Sequence, residues 1–442
     1  MANPFKVFMD IRRQELPLSL LMASYFFLTI TTFWILKPLK KAMFIQFYRE
    51  SGFDLLSWHL TAVQAEQIAK ILNMVVAFAA VVVFTWLARR FRRQQLCYIL
   101  SGFIIACLAI YYPTINNPHA LTVWTFYLFG DLFTTLMVAG FFAFLNDSVT
   151  PDAAKRLYGV IVFGGVVGGA FGASILRLWV DALSPAAWMG ICVGLVTLIW
   201  IIAGASGRIV SQNPPPEPIK PASRPSAESS KSVNPVLEGA KLVFRSRYLL
   251  AIVAVVGLYE IASQVLEFQF TQTLTHYLKE NDDFTRHLST WYAVQNIVSM
   301  FVQLFLTSFV MTRFGVKTAL LILPVIILGA SAGFLVFPIL WVGSFLTVAN
   351  NSFHYSINQS SKETLYVPTS RDEKYKAKAF IDMFVQRFAK VLAVGVNLAM
   401  SAAFVGISGA RWLSVFTGVV VILWIFAARY AGRKFDEITA ES

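Results

Sequence analysis

Four groups of ionisable side chains stand in or beside apolar runs where a membrane-like sequence should avoid them. Lys37, Lys40 and Lys41 close the first long apolar run. Glu260 and Glu267 share a helical face with Gln264. Arg387 and Lys390 follow Asp382 and Gln386 by about one turn and share a face with Asn397. The segment 362–378 carries Lys362, Glu363, Arg371, Asp372, Glu373, Lys374, Lys376 and Lys378. A charge at the bilayer centre costs about 2.5–3.5 kcal/mol on insertion scales, so such groups face water or a partner. Two cations a turn apart form a phosphate clamp, with Arg as a planar fork and Lys as a point charge. The alternatives are interfacial snorkelling for the lysines of 37–41, an internal salt bridge for the glutamates, and neutralisation of Arg387 and Lys390 by Asp382 or Asp131. For most of 362–378 the reading is a loop drawn to anionic lipid.

The elements that must position these groups are membrane helices. Of 442 residues, 57% are hydrophobic and only 14% charged, with mean hydropathy +0.63, against roughly a quarter charged in a soluble chain. The net charge of +13 does not mark a nucleic-acid binder, because the basic residues sit in short loops between apolar runs. Runs long enough to span fall at 16–36, 65–88, 96–112, 121–145, 158–182, 186–206, 248–274, 288–311, 317–337, 338–357, 379–404 and 410–430. This predicts an all-α polytopic membrane protein of twelve transmembrane helices. No cleaved signal or transit peptide is expected at the N-terminus.

The polar stretch PPPEPIKPASRPSAESSKS interrupts the runs. It divides the chain into an N-terminal half, 1–207, a linker, 208–240, and a C-terminal half, 241–442. Basic residues crowd alternate loops, which puts both termini and the linker on the cytoplasmic side. The loop beginning at Lys37 breaks that bias. The halves echo each other: Arg90 with Phe91 and Arg313 with Phe314 recur at the offset that separates Lys155 from Lys378. Two six-helix halves are the major-facilitator-like arrangement, with a site near the midplane. Gly164, Gly165, Gly168, Gly169 and Gly172 make a doubled small-xxx-small stripe. It serves static packing, a sliding surface, or both.

Nothing points to an enzyme. There is no P-loop, no HExxH, no GxSxG and no CxxC. No metal or other cofactor is expected. Cys97, Cys107 and Cys192 lie in apolar runs without ligand spacing. Cations from the first and eleventh helices are expected to converge on one chamber between the halves, where unpaired charge would favour a multiply charged anion.

The stretch SINQSSKETLYVPTSRDEKYKAKAFIDMFVQRFAK resembles the non-mitochondrial ATP/ADP translocases of plastids and intracellular bacteria. The resemblance rests on Lys362, Glu363, Tyr366, Pro368, Lys378, Asp382 and Lys390. Weaker matches are Lys40 in the 35–41 segment, Asp147 ahead of Ala154-Lys155-Arg156-Leu157-Tyr158, and Val265-Leu266-Glu267. It implies a nucleotide antiporter of the bacterial inner membrane, with Lys40, Asp147, Glu267 and Lys390 needed for transport. Its cargo would be ATP, ADP or a related nucleotide, and its other partner membrane lipid. On this reading Lys40 and Lys390 hold phosphates, Glu267 and Asp147 form salt bridges that break and re-form, and Tyr25, Phe26 and Phe33 are candidates to stack on the base. The departures are Pro38 and Lys41 where the family has acids, Asn358 with Gln359 for its Phe-Asp, and Val391 with Leu392 after Lys390. Two rival readings remain: a carrier of the same fold for another organic anion, and a non-transporting scaffold or sensor acting through 362–378.

Overall fold

A computed structural model describes residues 12–212, 235–279, 281–370, 373–404 and 406–441. Most of the expected linker, and Arg371 and Asp372, lie outside them. The first part of the chain folds as α1 (Leu16–Phe47), a hairpin of β1 (Phe53–Leu55) and β2 (Trp58–Leu60), α2 (Ala62–Arg90), α3 (Arg93–Tyr111), α4 (Ala120–Ser148), α5 (Pro151–Trp179) and α6 (Pro185–Gln212). Then follow α7 (Pro235–Arg245), α8 (Arg247–Tyr277), α9 (Asn281–Phe301), α10 (Ser308–Val336), α11 (Leu340–Phe353), α12 (Gln359–Thr364), α13 (Lys378–Phe380), α14 (Gln386–Ala403) and α15 (Ile407–Glu441). Short π-helical turns join several of these at Val302–Thr307, His354–Asn358, Glu373–Ala377 and Ile381–Val385.

The helix starts are written locally. Thr61 caps α2 with a reciprocal box: its hydroxyl accepts from the Gln64 amide, and its own amide donates to Gln64 Oε1 at 2.9 Å. Thr150 caps α5, and Ser246 caps α8.

Each expected run falls on helix, and the protein is a multi-pass membrane protein. Among the described residues, ten helices are long and apolar enough to cross a bilayer. The expected spans 288–311 and 317–337 merge in that count. They meet at Gly315, whose φ of +76° breaks the helical path as only glycine does readily. The run at 338–357 is divided by the π turn at His354–Asn358.

The first helix differs most from expectation. It does not stop near residue 36 but continues to Phe47, through Pro38 and all three lysines. Those lysines are therefore helix-interior groups and not part of an exposed loop. This is why they depart from the alternation of basic loops.

The described residues form two compact units. One takes those of 1–219 with 280–297, the other those of 220–279 with 298–442. In the first, Met22, Phe133, Phe141 and Trp188 are centred in a continuous apolar core. In the second, Leu249, Leu266, Phe334 and Trp424 occupy the same role.

Within the first unit α5 lies backbone-to-backbone on α1. A Cβ at Gly164, Gly168 or Gly172 would come 2.7, 2.4 or 2.5 Å from the carbonyl oxygens of Ala23, Phe27 and Thr31. The Thr31 hydroxyl donates to the Gly168 carbonyl at 3.2 Å. Only glycine permits this approach, so the stripe is a packing device. Below α1, Glu15 accepts hydrogen bonds from Arg156 at the start of α5.

Two outcomes follow. Gly168→Leu should destabilise the purified protein by about 3 kcal/mol through overpacking. Gly194→Ala, in open space, should leave the melting temperature unchanged or slightly raised. The hydrogen bond from Arg156 is the largest influence holding the Glu15 carboxyl below its ordinary value of 4.5, against the opposing effect of burial. The stabilisation is whole above that value and is lost as pH falls through the depressed one. Glu15→Gln should therefore flatten the acid side of a melting-temperature profile and leave the neutral side parallel to wild type.

Candidate functional site

In the first unit the lysines of α1 meet carboxylates from α2 and α4. Lys40 Nζ lies 2.5 Å from Asp131 Oδ1, and Asn73 of α2 donates to the other Asp131 oxygen. The Lys40 stem passes over Gly130, where a Cβ would stand 2.5 Å from its Cδ. Lys41 Nζ is 3.2 Å from Glu66 Oε1, and Lys70 approaches the same oxygen at 3.9 Å.

Tyr127 links the two pairs. Its ring lies 4.6 Å from Lys40 Nζ, and its hydroxyl donates to Glu66 at 3.1 Å. Lys41 and Glu66 have side chains 4% and 0% exposed, whereas Asp131 is 43% exposed. Asp131 is thus far more exposed than the Lys41–Glu66 pair. Lys37, a turn earlier on α1, places its ammonium 4.5 Å from the Trp34 ring and 5.1 Å from that of Tyr292.

Lys37, Lys40, Lys41 and Lys70 thus gather around Glu66 and Asp131 in one network of closely spaced charges.

The second unit carries charge pairs of its own. Lys390 Nζ of α14 is 3.6 Å from Glu260 Oε2 of α8. Lys362 lies 4.0 Å from Asp382, which also accepts from Gln386 at 3.1 Å. Glu363 accepts from Lys378, whose ammonium sits over Tyr366 at 5.4 Å. Two polar stripes expected on separate helices thus meet. The Asn397 amide donates to the Gln264 carbonyl at 3.5 Å. Beside them Tyr259 stacks on His354, centroids 4.1 Å apart and planes 9° from parallel.

Arg387 and Glu267 are half-buried on the same two helices, α14 and α8. Asp147 is exposed in the last turn of α4.

Two expectations need correction. The cations of the first and eleventh expected helices were expected to be unpaired, but Lys40, Lys41 and Lys390 each have a carboxylate within 4.0 Å. Burial of a bare ammonium is too costly for any other result. Tyr25 and Phe26 are not available for stacking on a base, because both are buried against Phe141, with ring centroids 5.0 and 4.7 Å away.

Sequence reasoning passed over Glu66, Lys70, Asn73 and Tyr127, and treated Asp131 only as a partner for the cations of α14. The signal was present: Glu66, Lys70 and Asp131 are ionisable groups inside the apolar runs 65–88 and 121–145. The insertion-cost test applied elsewhere would have selected them.

Two helical units, each carrying an ion network among its apolar helices, make up the described fold. The chain belongs to the Major Facilitator Superfamily, whose sequence profile matches residues 18–370. Residues 335–435 also match the profile described as TLC ATP/ADP transporter. It is 24% identical to the ADP,ATP carrier protein 1 of Chlamydia muridarum over 71% of this chain and 65% of that protein, so it spans about two thirds of that relative. It is 21% identical to the ADP,ATP carrier protein 1 of Rickettsia bellii over 98% of this chain and 96% of that one. The solved structure of the nucleoside transporter NupG superposes with TM-score 0.65 at 14% identity, covering 94% and 99% of the two chains. That likeness concerns the fold.

The Lys41–Glu66 pair should behave as a buried unit. Lys41→Met alone leaves Glu66 without its nearest cation and should cost about 3–5 kcal/mol. Lys41→Met combined with Glu66→Gln should recover most of that loss in thermal unfolding of the purified protein.

Proposed function

We propose that this protein exchanges phosphorylated nucleotides, ADP for ATP or a related pair, across a bacterial inner membrane by alternating access. The observation that carries the reading is the cluster of ammoniums in the first unit, Lys37, Lys40, Lys41 and Lys70, in which Lys40 is held by the half-exposed Asp131. A nucleoside or sugar without phosphate gives such a cluster nothing to bind, whereas a phosphate tail supplies several anionic oxygens at once. The ATP/ADP transporter profile over 335–435 and the two carriers named above support the nucleotide part of the reading.

On this proposal Lys40 is the contested group. Asp131, half-exposed, holds it in the empty carrier, and a substrate phosphate competes with that carboxylate for the ammonium. Such competition suits an exchanger, because one anion leaves as another takes its place. Lys390 and Glu260 form the corresponding exchangeable pair in the second unit. Arg387 stands one turn before Lys390 on the same helix, ready to add a bidentate contact. Glu267 and Asp147 are assigned to gating, as are Lys362, Glu363 and Asp382 of the charged segment. Twelve spans, in two halves joined by the 208–240 linker, with both termini cytoplasmic, accord with the basic-residue bias.

Purified protein in vesicles preloaded with ADP should take up labelled ATP, with unlabelled nucleotide competing and nucleoside not. Lys40→Ala and Lys390→Ala should each reduce exchange at least about tenfold, the scale expected when a charged contact of about 1.5–3 kcal/mol is lost. Uptake of a sugar phosphate with no nucleotide uptake would move the assignment to another organic anion. Full activity in Lys390→Ala would remove the charge-pair mechanism and favour a scaffold.

A further inference from the structure

The short helix α7 carries an outward face that neither the fold nor the transport reading uses. It is amphipathic over its eleven residues, PVLEGAKLVFR. One face is committed inward. Val243 is 1% exposed. Glu238 pairs with Lys376 at 2.9 Å. Gly239 lies so close to the backbone that a Cβ would stand 2.4 Å from the Lys376 carbonyl oxygen.

The opposite face shows Lys241, Phe244 and Arg245, spaced as helical neighbours and all exposed. Phe244 is 72% exposed. Exposed Arg247 follows at once, beyond the Ser246 cap, and opens the membrane-spanning helix α8. Leu250, in the first turn of that span, is also exposed. The face is therefore continuous with a surface that must meet lipid.

A large aromatic ring bracketed by three cations at the mouth of a span has the pattern of an interfacial helix. The ring enters the boundary between headgroups and acyl chains while the cations meet anionic headgroups. We propose that Lys241, Phe244, Arg245 and Arg247 form a contact for the headgroups of anionic phospholipid. The inward face extends the consequence. Because α7 is fixed to 373–380 through Glu238 and Gly239, headgroup contact holds in place the segment that carries Lys378, the partner of Glu363.

The test uses the full chain in nanodiscs and does not depend on transport. A Phe244→Cys variant carrying an environment-sensitive fluorophore, with equally treated wild type as the blank for native cysteines, is exposed to brominated lipid. Quenching should be stronger, by about twofold or more, in discs containing phosphatidylglycerol than in phosphatidylcholine alone. Adding Lys241→Gln, Arg245→Gln and Arg247→Gln should abolish that difference. In the protein with native Phe244, phosphatidylglycerol should raise the melting temperature, inorganic phosphate should not, and the three-glutamine variant should lose the rise. The proposal is overturned by a label that stays open to aqueous iodide in both lipids, by quenching that ignores headgroup charge, or by a phosphate-induced shift equal to that of the lipid.

Discussion

The structure of the first unit depends on one electrostatic constraint: lysines placed inside an apolar helix must find carboxylates on neighbouring helices. Lys40 and Lys41 are almost fully buried. Their partners come from two helices, Asp131 on α4 and Glu66 on α2. Tyr127 ties the two pairs together by a cation–π contact and a hydrogen bond. Three helices are thereby fixed by polar contacts worth more in a dry interior than in water, and far more costly to leave incomplete. The glycine stripe of α5 supplies the complementary contact on another side of α1, through close backbone packing without charge. The first helix is thus held by two kinds of force, one specific in sign and one specific in shape.

In the second unit Lys362, Lys378 and Lys390 pair with Asp382, Glu363 and Glu260. In the first, Lys40 and Lys41 take their carboxylates from two other helices, Asp131 on α4 and Glu66 on α2. Paired charges can exchange partners at little cost in net charge. The proposed function draws recognition from both units, through Lys40 in the first and Lys390 with Arg387 in the second, and leaves Asp147, Glu267, Lys362, Glu363 and Asp382 to conformational change.

The helical character of the chain was legible in hydropathy because a span in lipid has no other way to satisfy its backbone. The extent of α1 was not. Lys37, Pro38, Lys40 and Lys41 read as the end of a helix, and only tertiary carboxylates make it possible for them to lie inside one. The junction at Gly315 could be located but not its geometry, which rests on a positive φ. The hairpin at 53–60 and α7 carry too few residues to stand out beside the spans. The stripes of α8 and α14 were legible as stripes, and the pairing of Lys390 with Glu260 follows from their packing. Asp131 and Glu66 were legible as charges inside apolar runs, but not as the partners of Lys40 and Lys41, which only the packing of α1 on α2 and α4 decides.

The π-helical turns of the described residues all fall in the second unit, at Val302–Thr307, His354–Asn358, Glu373–Ala377 and Ile381–Val385. A π turn holds one more residue than the α path it replaces. Were it to migrate along its helix, each side chain it passed would swing about the axis by about 100°, the angle one residue subtends. Lys362 lies a few residues beyond one such turn and Lys390 beyond another. Moving the inserted residue by a short way would redirect either ammonium about its helix axis.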